Sequence, residues 1–328
     1  MTKENKIPVS YHLLYFLLAA AVVYFYYIKI VYQTDLNFFN SINAVQSFES
    51  RKPYQFRLLV PFIFFLFKPL EFIISQREII TGFFVIVVYL TVVVYQKILA
   101  QYFQNKKAVL FLAPVILYPI LWNYVILNQG YQFYDFMAIL IFITGLYFII
   151  KDNFTGLLVT FGAGIFNKET AGYLVFAYLL FNYKIVFTKK IIINTFLLTA
   201  VFFAIKLPLG YIFRNNPGDP VELCMNENIN IIKNIFSNYV YLKNVVLNFG
   251  GLYIFIFLLF LSRRWKHFPS RKLLFINLAF SPNILLGFFV TCYSEVRVYA
   301  EFVPLITTLF LIYLSTFKKF NLQPAEKT

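Results

Sequence analysis

The sequence predicts an all-α polytopic protein that threads a membrane about ten times. The chain of 328 residues is 60% hydrophobic and only 13% charged, and it carries many apolar runs that approach or reach the length of a bilayer crossing. The runs are apolar on every face, as in Phe83 to Val94 and Leu252 to Leu261, which fits helices and not the alternating strands of a barrel. The basic residues gather between alternate runs, as the retention of cationic loops in the cytoplasm requires.

Taken in order, the candidate spans are 11–32, 79–99, 108–127, 132–150, 154–166, 171–183, 191–213, 251–262, 273–291 and 299–316. The first, Tyr11 to Tyr32, is too long for a secretory signal, lacks a small-residue cleavage site and is rich in Tyr and Phe, so it reads as a retained helix. A polar segment from Gln33 to Phe56 follows. Arg57 to Ser75 is apolar enough to cross, yet Lys68, Pro69 and Glu71 interrupt it, and a full span there would put the later basic segments on the wrong side. It is expected to be a broken helix lying along or dipping into the outer leaflet.

Phe154 to Phe166 and Ala171 to Asn182 would each be about 20 Å long as helices, too short for a hydrocarbon core of roughly 30 Å. The turn "NKET" between them is therefore expected to lie below the external surface. Arg214 to Gly250 begins polar and becomes periodic through "INIIKNIFSNYVYLKNVV", the pattern of an amphipathic helix resting on a membrane. The whole of 1–328 reads as one transmembrane domain with external segments at about 33–78 and 214–250, and no internal repeat is visible.

Charge fixes the orientation. "RRWKHFPSRK" at 263–272 is the strongest cytoplasmic marker, supported by Lys106, Lys107, "FTKK" at 187–190, Lys318 and Lys319. With both termini cytoplasmic, that side collects 17 of the 29 Lys and Arg but only three of the 14 acids. The formal net charge of +15 is thus explained by topology, and nucleic-acid binding loses its support. Cys224 and Cys292 are the only cysteines and His12 and His267 the only histidines. That composition excludes a CxxC metal knuckle, a disulfide framework and a His-rich metal site, and argues against a Ser-His-Asp triad. A single bridge between the two cysteines is compatible with an oxidising compartment.

Charges from distant parts of the chain are expected to converge on the external face. They are Asp35 after the first span, with Glu49 later in that segment; Arg57 in "YQFRLLVP"; Asp135 in "YQFYDF"; Lys168 and Glu169 in "NKET"; and Glu295, Arg297 and Glu301 in "SEVRVYAE". A charge near the middle of a span costs about 2.5–3.5 kcal/mol on insertion scales, so it normally faces a cavity, a partner or a ligand. In a helical "SEVRVYAE", Arg297 and Glu301 would lie one turn apart and could pair, leaving Glu295 off that face to meet Arg57, Lys168 or a ligand. Asp35 stands at head-group depth, where it can cap a helix starting at Leu36 as well as act on a sugar. Arg57 and Lys206 suit an anionic phosphate at the interface, with snorkelling the plainer reading of each.

An acid after the first span, "YQFRLLVP", an acid heading a middle span, paired short helices joined by a "KET" turn, and a late "E.R.Y.E..P" together resemble bacterial members of the GT-C superfamily of integral membrane glycosyltransferases. The likeness runs from about Asp35 to Pro304. It implies transfer of a sugar from a polyprenyl-phosphate donor to a glycan, lipid or protein acceptor at the extracytoplasmic face of an inner membrane, as in cell-envelope polysaccharide synthesis. It implies Asp35 as the base or metal-associated acid and Arg57, Lys168 and Arg297 as phosphate ligands, with Lys206 a further candidate; Glu49, Asp135, Glu169, Glu295 and Glu301 would support them. The sequence departs from the common pattern in lacking an adjacent acidic pair in the first external loop, where Glu49 is the next acid after Asp35. The chemistry requires no organic cofactor, and a divalent metal is compatible with it. A lipid-linked glycan polymerase or ligase, and a lipid or glycan transporter, are the alternatives.

Overall fold

The apolar runs fold as helices because no other structure satisfies the backbone within a bilayer. The computed structural model describes residues 7–32, 35–127, 132–219, 223–290, 293 and 295–317; side chains at 35–37, 283, 290, 296 and 297 lie outside that description. Among the described residues there is no β-strand. The first half contains α1 (Val9–Tyr26), α2 (Asp35–Gln46), α3 (Leu59–Phe67), α4 (Gln76–Leu99), α5 (Lys106–Leu112), α6 (Leu117–Leu121), α7 (Asp135–Ile150) and α8 (Phe154–Asn167). The second contains α9 (Tyr173–Phe181), α10 (Lys189–Ile212), α11 (Met225–Asn234), α12 (Tyr239–Val246), α13 (Leu252–Leu261), α14 (Arg271–Asn277), α15 (Ser281–Val290) and α16 (Val303–Ser315).

Among the described residues, five helical stretches are long and apolar enough to cross a membrane: Val9–Val31, Gln76–Leu99, Lys106–Ile126, Lys189–Ile212 and Val298–Ser315. A sixth candidate is the pair Tyr239–Val246 and Asn248–Leu261, bent by 65° at its break. Asp135–Ile150, Phe154–Asn167 and Glu169–Phe181 are apolar but shorter. The protein is therefore an all-α membrane protein. Its outer surface agrees, since Leu13, Phe16 and Leu17 on α1 and Phe196 and Phe203 on α10 are exposed, as lipid-facing side chains are.

Several local expectations meet their physical cause. The run from Arg57 to Ser75 is broken: α3 stops at Phe67 and a 3₁₀ turn, Lys68–Phe72, carries Pro69 at its start. The periodic stretch beyond Arg214 forms two short helices, α11 and α12, where a single amphipathic helix was expected. The polar segment after the first span contains α2, which packs on α3, and Gln46 Nε2 donates to Pro61 O at 2.9 Å. The run 273–291 is two helices separated at Leu278–Phe280.

The bundle is built around two centres. α16 is mostly buried and contacts α13, α14 and the helix formed by α5 and α6. Beside it, α1, α4 and α7 meet through an aromatic cluster, with ring centroids 4.9 Å apart for Tyr26 and Phe136 and 5.3 Å for Phe84 and Phe136. Phe136 directly follows Asp135, so this rigid floor fixes the start of α7.

The α8–α9 hairpin is drawn in by small residues. A Cβ on Gly164 would come within 2.7 Å of the Ala171 Cβ and 2.9 Å of Ile141 Cγ2, leaving no room for a side chain. Gly164→Val is expected to cost about 1–3 kcal/mol through overpacking and to displace the turn that follows. Thermal unfolding in detergent checks this, with Gly82→Ala as control, because a Cβ there meets nothing within 4 Å.

The two ends of the bundle differ in character. Asp152, between α7 and α8, pairs with Lys190 at 3.0 Å, and Arg264, after α13, donates to Thr316 at 2.5 Å. Tyr102, after α4, packs on Phe268 at 6.3 Å. The turns that carry most of the basic residues thus share one end. The turns carrying Arg57, Asp135, Lys168 and Glu301 share the other.

Candidate functional site

Four chain reversals deliver charge to one place. Tyr134 precedes α7, and Asp135 is its first residue. α8 ends at Asn167, and Lys168 then takes an extended conformation (φ −164°, ψ 136°) before the 3₁₀ turn Glu169–Gly172. That reversal aims the Lys168 ammonium at two carboxylates, 2.9 Å from Glu301 Oε1 and 3.6 Å from Asp135 Oδ1. Glu301 lies on the 3₁₀ turn Val296–Phe302 leading into α16, and its Oε1 also accepts the Thr170 hydroxyl. Asn167 Nδ2 donates to Tyr134 O at 3.1 Å and ties the hairpin to the start of α7.

A second group sits against the first. Arg57 follows the turn Tyr54–Phe56, and its guanidinium lies 4.2 Å from the Tyr134 ring centroid and 5.0 Å from that of Tyr54. One Nη donates to the Tyr134 hydroxyl and the other to Glu169 Oε1 at 2.8 Å. Lys206 Nζ on α10 stands 3.6 Å from Glu169 Oε2 and 5.4 Å from the Phe56 ring centroid. Lys168 Nζ is 5.9 Å from the Tyr134 ring centroid, so that tyrosine is the wall shared by both groups.

Among the described residues, three cations and three carboxylates therefore form one cluster in which the formal charges balance. Such burial is tolerated only because each charge has a partner, and removal of one partner typically costs about 3–5 kcal/mol. The members differ in access. The side chains of Lys168, Asp135 and Glu301 are 6%, 2% and 1% exposed, whereas that of Glu169 is 38% exposed. Hydrogen-bonding capacity is left over, since among the described residues Asn167 Oδ1 and Glu301 Oε2 have no hydrogen-bond partner.

A groove of about 520 Å³ begins beside the cluster, its walls including Val245, Phe249, Ile256, Ile284, Tyr299 and Phe302. Phe302 is the residue after Glu301, so apolar and charged surfaces meet at one backbone position. Part of the groove's wall, at Asn248 and Phe249, has an unusual backbone. Phe249, Gly250 and Gly251 all have positive φ, and a Cβ on Gly250 would fall 2.4 Å from the Tyr118 ring. Asn123 fastens this break, accepting from Phe249 N at 2.8 Å and donating to Asn248 Oδ1 at 3.0 Å.

The structure brings together Arg57, Asp135, Lys168, Glu169, Lys206 and Glu301. Glu301 meets Lys168 and Thr170, and the turn that bears it is 3₁₀ where an α-helix was the expectation. The Arg297 side chain lies outside the described residues, as does that of Asp35, although α2 begins at Asp35 itself. Glu49 is on the exposed surface and accepts a hydrogen bond from Ser47 at 3.4 Å. Glu295 is half-buried at the start of the 3₁₀ turn. Sequence reasoning missed Tyr134 as the shared wall and Thr170 as a ligand of Glu301. The aromatic "YQFYDF" at the head of α7 was the available signal for the first.

Among the described residues, no three of His, Cys, Asp and Glu come together as a metal-ligating group. Cys224 is disulfide-bonded, and the sequence has one other cysteine, Cys292, which lies outside the described residues. A disulfide suits a segment facing an oxidising compartment. Compared with known proteins, the chain matches no family model, no curated sequence and no solved structure.

Proposed function

We propose that the chain is a membrane glycosyltransferase of the GT-C type, moving a sugar from a polyprenyl-phosphate donor to a glycan, lipid or protein acceptor at the extracytoplasmic face. In this reading the short and broken helices bring the crossings to about ten, both termini and the basic end of the bundle are cytoplasmic, and the charge cluster opens outward. One observation carries the proposal: Arg57, Lys168 and Lys206 lie in a single buried cluster beside an apolar groove, which suits a ligand with an anionic head and a hydrocarbon tail.

The acceptor hydroxyl oxygen attacks the sugar's anomeric carbon while the bond from that carbon to the phosphate oxygen breaks. The bonding pair leaves with the polyprenyl phosphate, and a carboxylate takes the hydroxyl proton. Asp35 is the candidate base. Arg57 and Lys206 would stabilise the departing phosphate. Both cations already hold Glu169, so the phosphate would displace that side chain, the most exposed of the buried cluster. A divalent metal is compatible with this scheme, with Asp35 its candidate ligand.

That exchange makes a sharp test. Glu169→Gln removes the competing charge and is expected to tighten binding of a polyprenyl phosphate about 10-fold, measured on the purified full chain in detergent. Arg57→Ala should weaken the same binding about 10-fold or more. Unchanged affinity in both variants would remove the cluster from donor binding.

A second reading, a lipid or glycan transporter, is favoured by the 65° break between α12 and α13 with Asn123 and Asn248 buried at it, because broken helices commonly build transport sites. Accessibility of cysteines placed at Glu169 and Lys206 separates the two. Labelling from one side only supports the transferase, and alternating access from both sides supports transport.

A further inference from the structure

The opposite end of the bundle carries a second polar pocket. It occupies about 710 Å³ and is bounded by Lys184, which follows α9, and by residues within 265–274, from the turn after α13 into the first turn of α14. Its distance from the charge cluster follows from α16. Glu301 and Phe302 stand at the start of that helix, while Arg264 binds Thr316 at its end, about 20 Å away at 1.5 Å per residue. α9 gives the same result, with Lys168 and Glu169 before it and Lys184 after it.

Lys184, Lys266, Arg271 and Lys272 line this pocket, and among the described residues no carboxylate does. Elsewhere at this end a cation does find an acid, as Lys190 finds Asp152 at 3.0 Å. Among the described residues, no acid pairs with any of the four pocket cations; the Lys272 ammonium lies only over the Phe181 ring at 5.5 Å. Orientation in the membrane requires basic residues near a helix end, but not their convergence from two separate segments around one concavity. Apart from Ser270, the rest of the described wall is apolar. Phe268 and Leu274 are buried in its wall, and Trp265 is 37% exposed at its rim, the amphipathic placement of an interfacial aromatic. Next to Lys184, Ile185 and Phe187 present apolar surface outward at 43% and 91% exposure.

We propose that this pocket binds the phosphate-bearing headgroup of an anionic phospholipid, with the acyl chains running along the apolar surface beside Lys184. Phosphate is the shared chemistry that a lipid or a soluble anion could offer. The lipid is favoured because the cationic rim adjoins exposed hydrocarbon, which a soluble anion would leave bare. The site stands apart from the donor cluster and does not depend on the transferase reading.

The test uses the purified full chain incubated with equal amounts of phosphatidylglycerol and phosphatidylcholine, with retained lipids counted by native mass spectrometry. The wild-type protein is expected to retain phosphatidylglycerol about 10-fold over phosphatidylcholine. The triple variant Lys266→Ala, Arg271→Ala and Lys272→Ala should lose that preference, and these side chains are exposed, so the fold is not at risk. Lys189→Ala with Lys190→Ala, at the same end but outside the pocket, should keep it. Retention unchanged in the triple variant, or lost equally in both variants, would overturn the pocket as the binding site. Displacement of phosphatidylglycerol by an equal concentration of inorganic phosphate would overturn the lipid as its occupant.

Discussion

Lys168→Met is expected to lower the unfolding temperature in detergent by about 10 °C, or to prevent accumulation of folded protein. The ammonium lies between Glu301 and Asp135, whose side chains are 1% and 2% exposed, and its removal takes a cationic partner from two buried carboxylates. Removing one partner of such a group costs about 3–5 kcal/mol, and about 1 kcal/mol corresponds to 2–4 °C for a chain of 150–250 residues. Adding Glu301→Gln should recover part of the loss, since the amide oxygen can still accept the Thr170 hydroxyl. An unfolding temperature for Lys168→Met equal to that of the wild type would show that the buried pairs do not hold the hairpin in place.

Asp35→Asn is expected to reduce sugar transfer by about 10²–10⁴-fold, the range for loss of a general base, with the amount of folded protein unchanged. The substitution isolates the proton-accepting charge, because Asn has nearly the shape of Asp and residue 35 is the first of α2, where no intrahelical partner is lost. Transfer is measured from a synthetic polyprenyl-phosphate sugar in vesicles. Full activity in this variant would take Asp35 out of the mechanism. Loss of activity with loss of folded protein would return it to a structural role.

Helix identity was legible in the sequence because it depends on local composition. Each of the ten apolar runs contains helix in the structure, the break at Pro69 follows from its fixed φ and missing N–H, and the short hairpin does bury Lys168. The pairing of charges was not legible, because it depends on which turns the bundle brings together. The contact of Glu301 with Lys168 joins residues more than a hundred positions apart, on different turns, and no local spacing announces it. The helix α2 was hidden by its polar composition, which resembles that of a loop until its apolar face is set against α3. The basic pocket at residues 265–274 was visible only as a topological signal, since concavity is a property of packing and not of order along the chain.

The formal neutrality of the cluster bears on how the protein would respond to voltage. A transmembrane potential does work of about 2.3 kcal/mol per elementary charge per 100 mV. Acting on Arg57, Lys168 and Lys206 and on Asp135, Glu169 and Glu301 together, it pulls equally in both directions. For these six described groups, a shift of the hairpin and the helices facing it as a unit then carries no net electrical work, whereas a charge brought by a visiting molecule feels the field in full.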